Sequence, residues 1–376
     1  MWRRARHTQV VLLVLGIGIL GAIAVPRVLM YFGWAPPLRH DQVAGPAFLK
    51  ADANDLEATV VTPHLECAIT GDENVLWCAT FQLAWNQLCD LLRGPVQSDI
   101  ASAAEMTTLL NRQTVDANDL DEASFVALAG YPTGGPDDIL DRITVALDEK
   151  FNGAAHPELL PERAELKKDD WVAYAHLFKS LPFRWAFDRY RYGGLAFAGA
   201  DVQSFGFHQL LPDQKNEVRA ASQVRVYDYQ GENDFIIELK TRSESDRMVL
   251  AKVQAKPTLA ETIRSVRKRL DATEAKPMLK ASSLNIPVLD FDILRCYHEL
   301  SPVGMAAQQI RFKLDETGAV LKSEALAAEA AASQDLIFDK PFLVMLQRVG
   351  AQNPYFALWV ANAELLVPVE PRAQNR

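Results

Sequence analysis

The chain has 376 residues, 49% of them hydrophobic and 23% charged, an ordinary globular balance in which length alone suggests two or three domains. Its net charge of -9 argues against a general nucleic-acid binder, which needs a basic face for phosphate, and serves mainly to keep the surface soluble.

The first residues set the expected compartment. Arg3, Arg4 and Arg6 precede an apolar run over residues 10–25, broken by Pro26 and Arg27. Residues 28–32 could extend that run past the proline towards Trp34, giving an uncleaved membrane anchor over residues 1–33. The rival is a cleaved signal peptide ending at Ala24, because Ala22-Ile23-Ala24 has the small-x-small form of a cleavage site. In both cases the positive end stays in the cytoplasm and the rest of the chain is exported. Gly16-x-Gly18-x-x-Gly21 has the letters of a dinucleotide fingerprint, but no strand precedes it, and we read it as chance.

Residues 34–55 read as a linker, and residues 74–94 as a largely buried helix. There Leu76, Phe81, Trp85, Leu88 and Leu92 recur at spacings near three and four, and Gly94-Pro95 stops the run. Residues 118–129 and 137–151 are predicted as further helices, with Asp137-Asp138 complementing the dipole at the second start. WVAYAHLF is a strand, and SQVRVYDY, DFIIELK and RMVLAKVQ form a meander. Residues 257–270 are a helix whose Arg264, Arg267, Lys268 and Arg269 make a solvated outer face. LNIPVLDFDIL, QQIRFKLDE, FLVMLQRV and YFALWVANAEL complete an α+β order. DANDL occurs at residues 52–56 and again at 116–120, which suggests paired helix caps.

Chemistry is sparse. Cys67, Cys78, Cys89 and Cys296 permit disulfides without implying them, and Cys78 and Cys89 lie on an apolar pattern as core residues do. Seven scattered histidines fall in no metal or triad arrangement, so we expect no metal, no cofactor and no enzyme, and name no catalytic residue.

The order of pieces over residues 74–363 resembles the serpin family. Asn74-Val75-Leu76 before the buried helix looks like the family's strand-to-helix segment, and residues 172–179 with Trp185 and Phe187 look like its "LVNAIYFKG" strand and the W-x-x-P-F that follows. Residues 284–294 resemble "LPKFKI". Ile310-x-Phe312-x-Leu314-Asp315-Glu316-x-Gly318-Ala319 is similar to the approach to the reactive loop. Phe338-Asp339-Lys340-Pro341-Phe342-Leu343 is similar to the strand after that loop, and residues 356–362 to the closing motif. From Glu316 to Pro341 is 25 positions, close to the family's loop.

The resemblance implies an α+β, serpin-like fold with a large central mixed sheet, smaller sheets and about eight helices. That fold forms a single domain over 56–367, with a disordered tail expected over 368–376. It also implies a loop that a protease cleaves and that then inserts as a strand. Glu316, Gly318, Ala319 and Leu321 would be the hinge, and Ala330, Ala331, Ala332 and Ser333 the bait. Such a bait suits a serine protease with a small S1 pocket, elastase-like or subtilisin-like.

In an inserted strand Ala319, Leu321, Ser323, Ala325 and Ala327 would face inwards, leaving Lys322 and Glu324 outside. Glu329 falls on the inward side, Leu321, Lys322 and Glu324 depart from the small residues usual there, and SEALAAEAAAS has high helix propensity. Cys78 stands where the family has Ser, and Gln308 where a histidine is common. The expected function is therefore a membrane-tethered suicide inhibitor; the alternative is a non-inhibitory binding or scaffold protein of the same fold.

Overall fold

The computed structural model describes residues 46–370 except 99–100, 136, 152–158, 168–169, 209, 211–214, 280–281, 299, 301–305 and 318–333. The expected anchor or signal over 1–33, the hinge residues Gly318, Ala319 and Leu321, and the four bait residues lie outside these described residues. Among the described residues no helix is long and apolar enough to cross a membrane.

The chain opens with β1 (Leu49–Asp52), inside the stretch expected to be a linker, then β2 (Thr59–Thr62), β3 (Asn74–Cys78), α1 (Thr80–Leu92) and α2 (Ala101–Leu110). Next come β4 (Phe125–Gly130), α3 (Ile139–Phe151), β5 (Val172–Leu177), β6 (Asp188–Phe197), β7 (Ala200–Phe207) and α4 (Lys215–Ala221). The meander is β8 (Val224–Gly231), β9 (Asp234–Leu239) and β10 (Asp246–Lys252), followed by α5 (Leu259–Ala272) and the short β11 (Lys276–Pro277). The last strands are β12 (Ser283–Pro287), β13 (Leu289–Cys296), β14 (Ala307–Leu314), β15 (Asp335–Ile337), β16 (Phe342–Arg348) and β17 (Phe356–Val360). Five α-helices are present among the described residues, fewer than the eight expected.

The largest sheet is mixed and eight-stranded, in the order β11-β8-β9-β10-β16-β17-β3-β2. Only β2 joins it in parallel; the other pairings are antiparallel. Its central strands are apolar on both faces, and β3 and β17 are buried at every position. A second sheet runs β15-β12-β7-β6, a third β1-β13-β14, and β4 pairs with β5 alone. Phe338 and Phe342, both fully buried with ring centroids 5.0 Å apart, seal the turn from β15 into β16.

Three sequence expectations are corrected. Asn74–Cys78, read as the first turns of a helix, is strand β3, because its neighbours β2 and β17 satisfy both of its edges. Residues 118–129, read as a helix, form single 3-10 turns and then β4. Asp116 and Asp121 accept from Asn118 N and Ala123 N at 2.7 and 3.3 Å, fixing isolated turns before Phe125–Gly130 pairs residue for residue with β5. The apolar stretch 284–294 divides at Val288, whose N–H donates to Gln203 O, so β12 joins β7 and β13 joins β14. The DANDL pair does cap, with Asp52 and Asp116 each accepting from the asparagine two residues on.

Candidate functional site

β5 has β4 on one edge, and β14 has β13 on one edge; among the described residues neither carries a paired strand on its other side. Both strands line the same cleft, of about 950 Å3. A strand edge without a partner presents a row of backbone N–H and C=O groups, so two of them bordering one cleft make a template that an extended segment can join from either side.

Side-chain alternation determines what the cleft offers. On β14 Gln308, Ile310 and Leu314 are buried and Gln309, Arg311 and Lys313 turn outwards, as the period of two demands. On β5 Ala175 and Leu177 pack against the main core, whereas Val172 and Tyr174 face α3, with Ile139, Ile143 and Leu147. The floor is apolar: Phe81, Ala84, Trp85 and Leu88 of α1, with Met248, Leu346 and Phe356 of the eight-stranded sheet. Alanines at 173 and 175 leave room beside β5 that larger residues would fill.

Two polar groups cross this floor. Gln308 donates to Cys78 O at 3.0 Å and to Thr80 Oγ1 at 2.8 Å, and its Oε1 accepts from Tyr297 OH at 3.0 Å. The two departures singled out in the sequence, Cys78 and Gln308, therefore meet, and Gln308 ties β14 to the start of α1. Burial pushes the Cys78 thiol up, leaving it a neutral group in the floor. At the end of β5, Lys179 Nζ sits 3.0 Å from Asp246 and 3.3 Å from Asp121, and Asp246 also accepts from Tyr355 OH at 3.1 Å. Burial and the Asp246 carboxylate raise the Tyr355 hydroxyl well above its ordinary value, so it remains a donor.

Residues 315–317, the start of the expected hinge, are held in place. Glu316 Oε2 accepts from Arg189 Nη1 at 3.0 Å, and Glu316 O accepts from Phe187 N at 3.1 Å. Asp315 accepts from Thr317 N at 2.9 Å and Oγ1 at 2.6 Å, and pairs with Lys313 at 2.9 Å. Burial pushes its carboxyl up, but the Thr317 and Lys313 contacts outweigh that and hold it below the usual carboxylate range. Arg189 is oriented in turn by Gln203 Oε1, at 2.8 and 3.1 Å. Sequence reasoning missed Arg189, Thr80 and Tyr297; only the alternation in DRYRYGGLAF hinted that Arg189 stands on a strand.

Of the sequence-predicted site residues, Glu316 is at the clamp just described, and Cys67, Cys78, Cys89 and Cys296 are all free thiols. Trp185 lies under the Arg219 guanidinium, 5.0 Å from its ring centroid, away from the cleft lining.

No protein-family model matches the sequence, and no curated protein matches it. Among solved structures the fold is similar to thyroxine-binding globulin in complex with thyroxine, at 11% identity and TM-score 0.44, over 78% of this chain and 94% of that one. It is similar also to maspin, at 13% identity and TM-score 0.45, over 77% and 92%. Human thyroxine-binding globulin complexed with thyroxine gives 11% identity and 0.42, over 78% and 93%. The serpin-like reading of the fold rests on the motifs and on where their strands lie: β14, residues 315–317, β15 and β16 succeed one another in the order that the resemblance implied.

Proposed function

We propose that the cleft between β5 and β14 receives a strand from residues 318–333 once a protease has cut that segment, and that the protein is a suicide inhibitor of a serine protease. The observation that carries this is the pair of open strand edges bordering one apolar cleft. Chain connectivity supports it. Residues 315–334 join β14, beside the cleft, to β15 in a different sheet, so cutting this connection frees a tail already attached to one edge of the cleft.

The protease serine would attack a carbonyl near Ala330–Ser333, the new amino terminus would leave, and the ester would remain on the tail. Each ladder bond made on entry contributes about 1 kcal/mol net, so several are needed to outweigh the ordering of the tail. The inhibitor itself needs no catalytic group. Ala330, Ala331, Ala332 and Ser333 suit an elastase-like or subtilisin-like enzyme, and residues 1–33 would tether the domain outside the cytoplasm or be removed at Ala24.

The test is incubation with an elastase-like protease. An inhibitor gives a complex that survives SDS, and the cut protein melts well above the intact one. Nicking with neither result sinks the reading. The second reading, a non-inhibitory binding or scaffold protein, is favoured by the Gln308–Thr80–Tyr297 bonds, which an entering strand must pack over or displace.

A further inference from the structure

The last described residues carry a set of bonds that the strand-accepting cleft does not use. Leu365, Leu366 and Val367 are buried, and residues 368–370, placed by the sequence in the tail, are bound to β6 and β7. Gln203 N donates to Val367 O at 2.7 Å, Val369 N donates to Asp201 O at 3.1 Å, and Val202 bridges Pro368 in the antiparallel sense. The far end is clipped to β6. Glu370 N donates to Arg191 O at 3.2 Å, and the Glu370 carboxylate accepts from Arg191 Nη1 at 3.3 Å and from Tyr192 OH at 3.0 Å.

The side chain of Gln203 joins this segment to residue 316. Gln203 is 4% exposed, and its Oε1 accepts from both Nε and Nη2 of Arg189. Two donors on one oxygen fix which way the amide faces, because a guanidinium has no acceptor to offer the amide N–H groups. Nε2 finds its acceptor on the other side and donates to Pro368 O at 3.1 Å. The same guanidinium holds Glu316 Oε2 through Nη1, and Phe187 N holds Glu316 O. Pro368, Gln203, Arg189 and Glu316 therefore form one line of bonds through a buried amide. Loss of the acceptor at one end strands a buried donor beside the next member.

We infer that the carboxy-terminal segment Val367–Glu370 is a latch that sets how firmly residue 316 is held, acting through Gln203 and Arg189. Lifting the segment off β7 removes the Pro368 carbonyl, frees the Gln203 amide to turn and leaves Arg189 without its orienting acceptor. Coupling of this kind is reciprocal, so whatever loosens Glu316 loosens the segment by the same factor. The latch does not rest on the strand-accepting reading, since none of these four residues lines the cleft.

The test is native-state amide exchange, read at Phe187 N for the hold on Glu316 and at Val369 N for the segment. Glu316→Ala should speed exchange at Val369 about fivefold, the factor that one net hydrogen bond represents. The control is Val349 N, bonded to Ser245 O, which should keep its rate. A chain ending at Val367 should speed exchange at Phe187 about fivefold against the same control. In Gln203→Met, which cannot bridge the two ends, adding Glu316→Ala should leave Val369 unchanged. An unchanged Val369 rate in Glu316→Ala overturns the latch whatever the shortened chain does, so the test survives a truncation that fails to fold. Equal acceleration at Val369 and Val349 overturns it as well, being general loosening, and coupling that persists in Gln203→Met removes the route through the amide.

Discussion

The eight-stranded sheet and the strands around the cleft are built from the same chain by opposite rules. In the first, β16 and β17 are flanked by strands on both edges and are buried at every position but Arg348. Around the cleft, β5 is buried only at Val172 and β14 alternates, and among the described residues each strand has a partner on one edge alone. An unpaired edge is ordinarily a liability that proteins cover. Here the two edges face a shared cavity, whereas the strands of the eight-stranded sheet face neighbours.

Substitutions should reproduce that division. The largest expected effect is in the complete sheet: Phe342→Ala removes a fully buried ring packed on Phe338 and Phe197 and should cost about 3–5 kcal/mol in urea unfolding. A loss below about 1 kcal/mol would mean that the seal between β15 and β16 is not part of the core. At the expected hinge, Arg189→Ala removes the charged donor to Glu316 and should cost about 2 kcal/mol while speeding uptake of a synthetic peptide with the sequence of residues 319–329. If stability falls but uptake does not change, the clamp is structural only.

The smallest effect is electrostatic. The Asp315 carboxyl is held low in the folded protein, so its contribution is complete above the ordinary aspartate value of about 3.9 and is lost as pH falls through the lowered folded value. The Tm difference between wild type and Asp315→Asn should therefore shrink on acidification through that range. A difference that persists unchanged at the acid end would assign the effect to the side-chain amide rather than to charge.

Much of the strand order was legible before any coordinates. Val224–Gly231, Asp234–Leu239 and Asp246–Lys252 announce themselves by apolar runs between turn residues, and their pairing is the local one that a meander implies. α5 is readable from a Thr258 cap, whose Oγ1 accepts from Glu261 N, and from a period of three and four. The misreadings have a common cause. β3 is apolar from Val75 to Cys78, and a short continuous apolar run does not distinguish strand from buried helix. β6 and β7 were not assigned: Arg189 and Arg191 alternate with Tyr190 and Tyr192, but the register breaks between Tyr190 and Leu195, across Gly193-Gly194, and β7 is buried on both faces from Val202 onwards.

What the sequence determined by itself is the set of strands and helices whose patterns are local, and the order of motifs around residues 310–343, since both depend on residues a few positions apart. Only the tertiary structure decided that β5 and β14 border one cleft and that Gln308 reaches Cys78 and Thr80 across its floor. An edge is open or closed according to what a distant segment does: Val172 and Ala307 stand far apart in the chain, and no periodicity in either strand records whether its second edge has a partner.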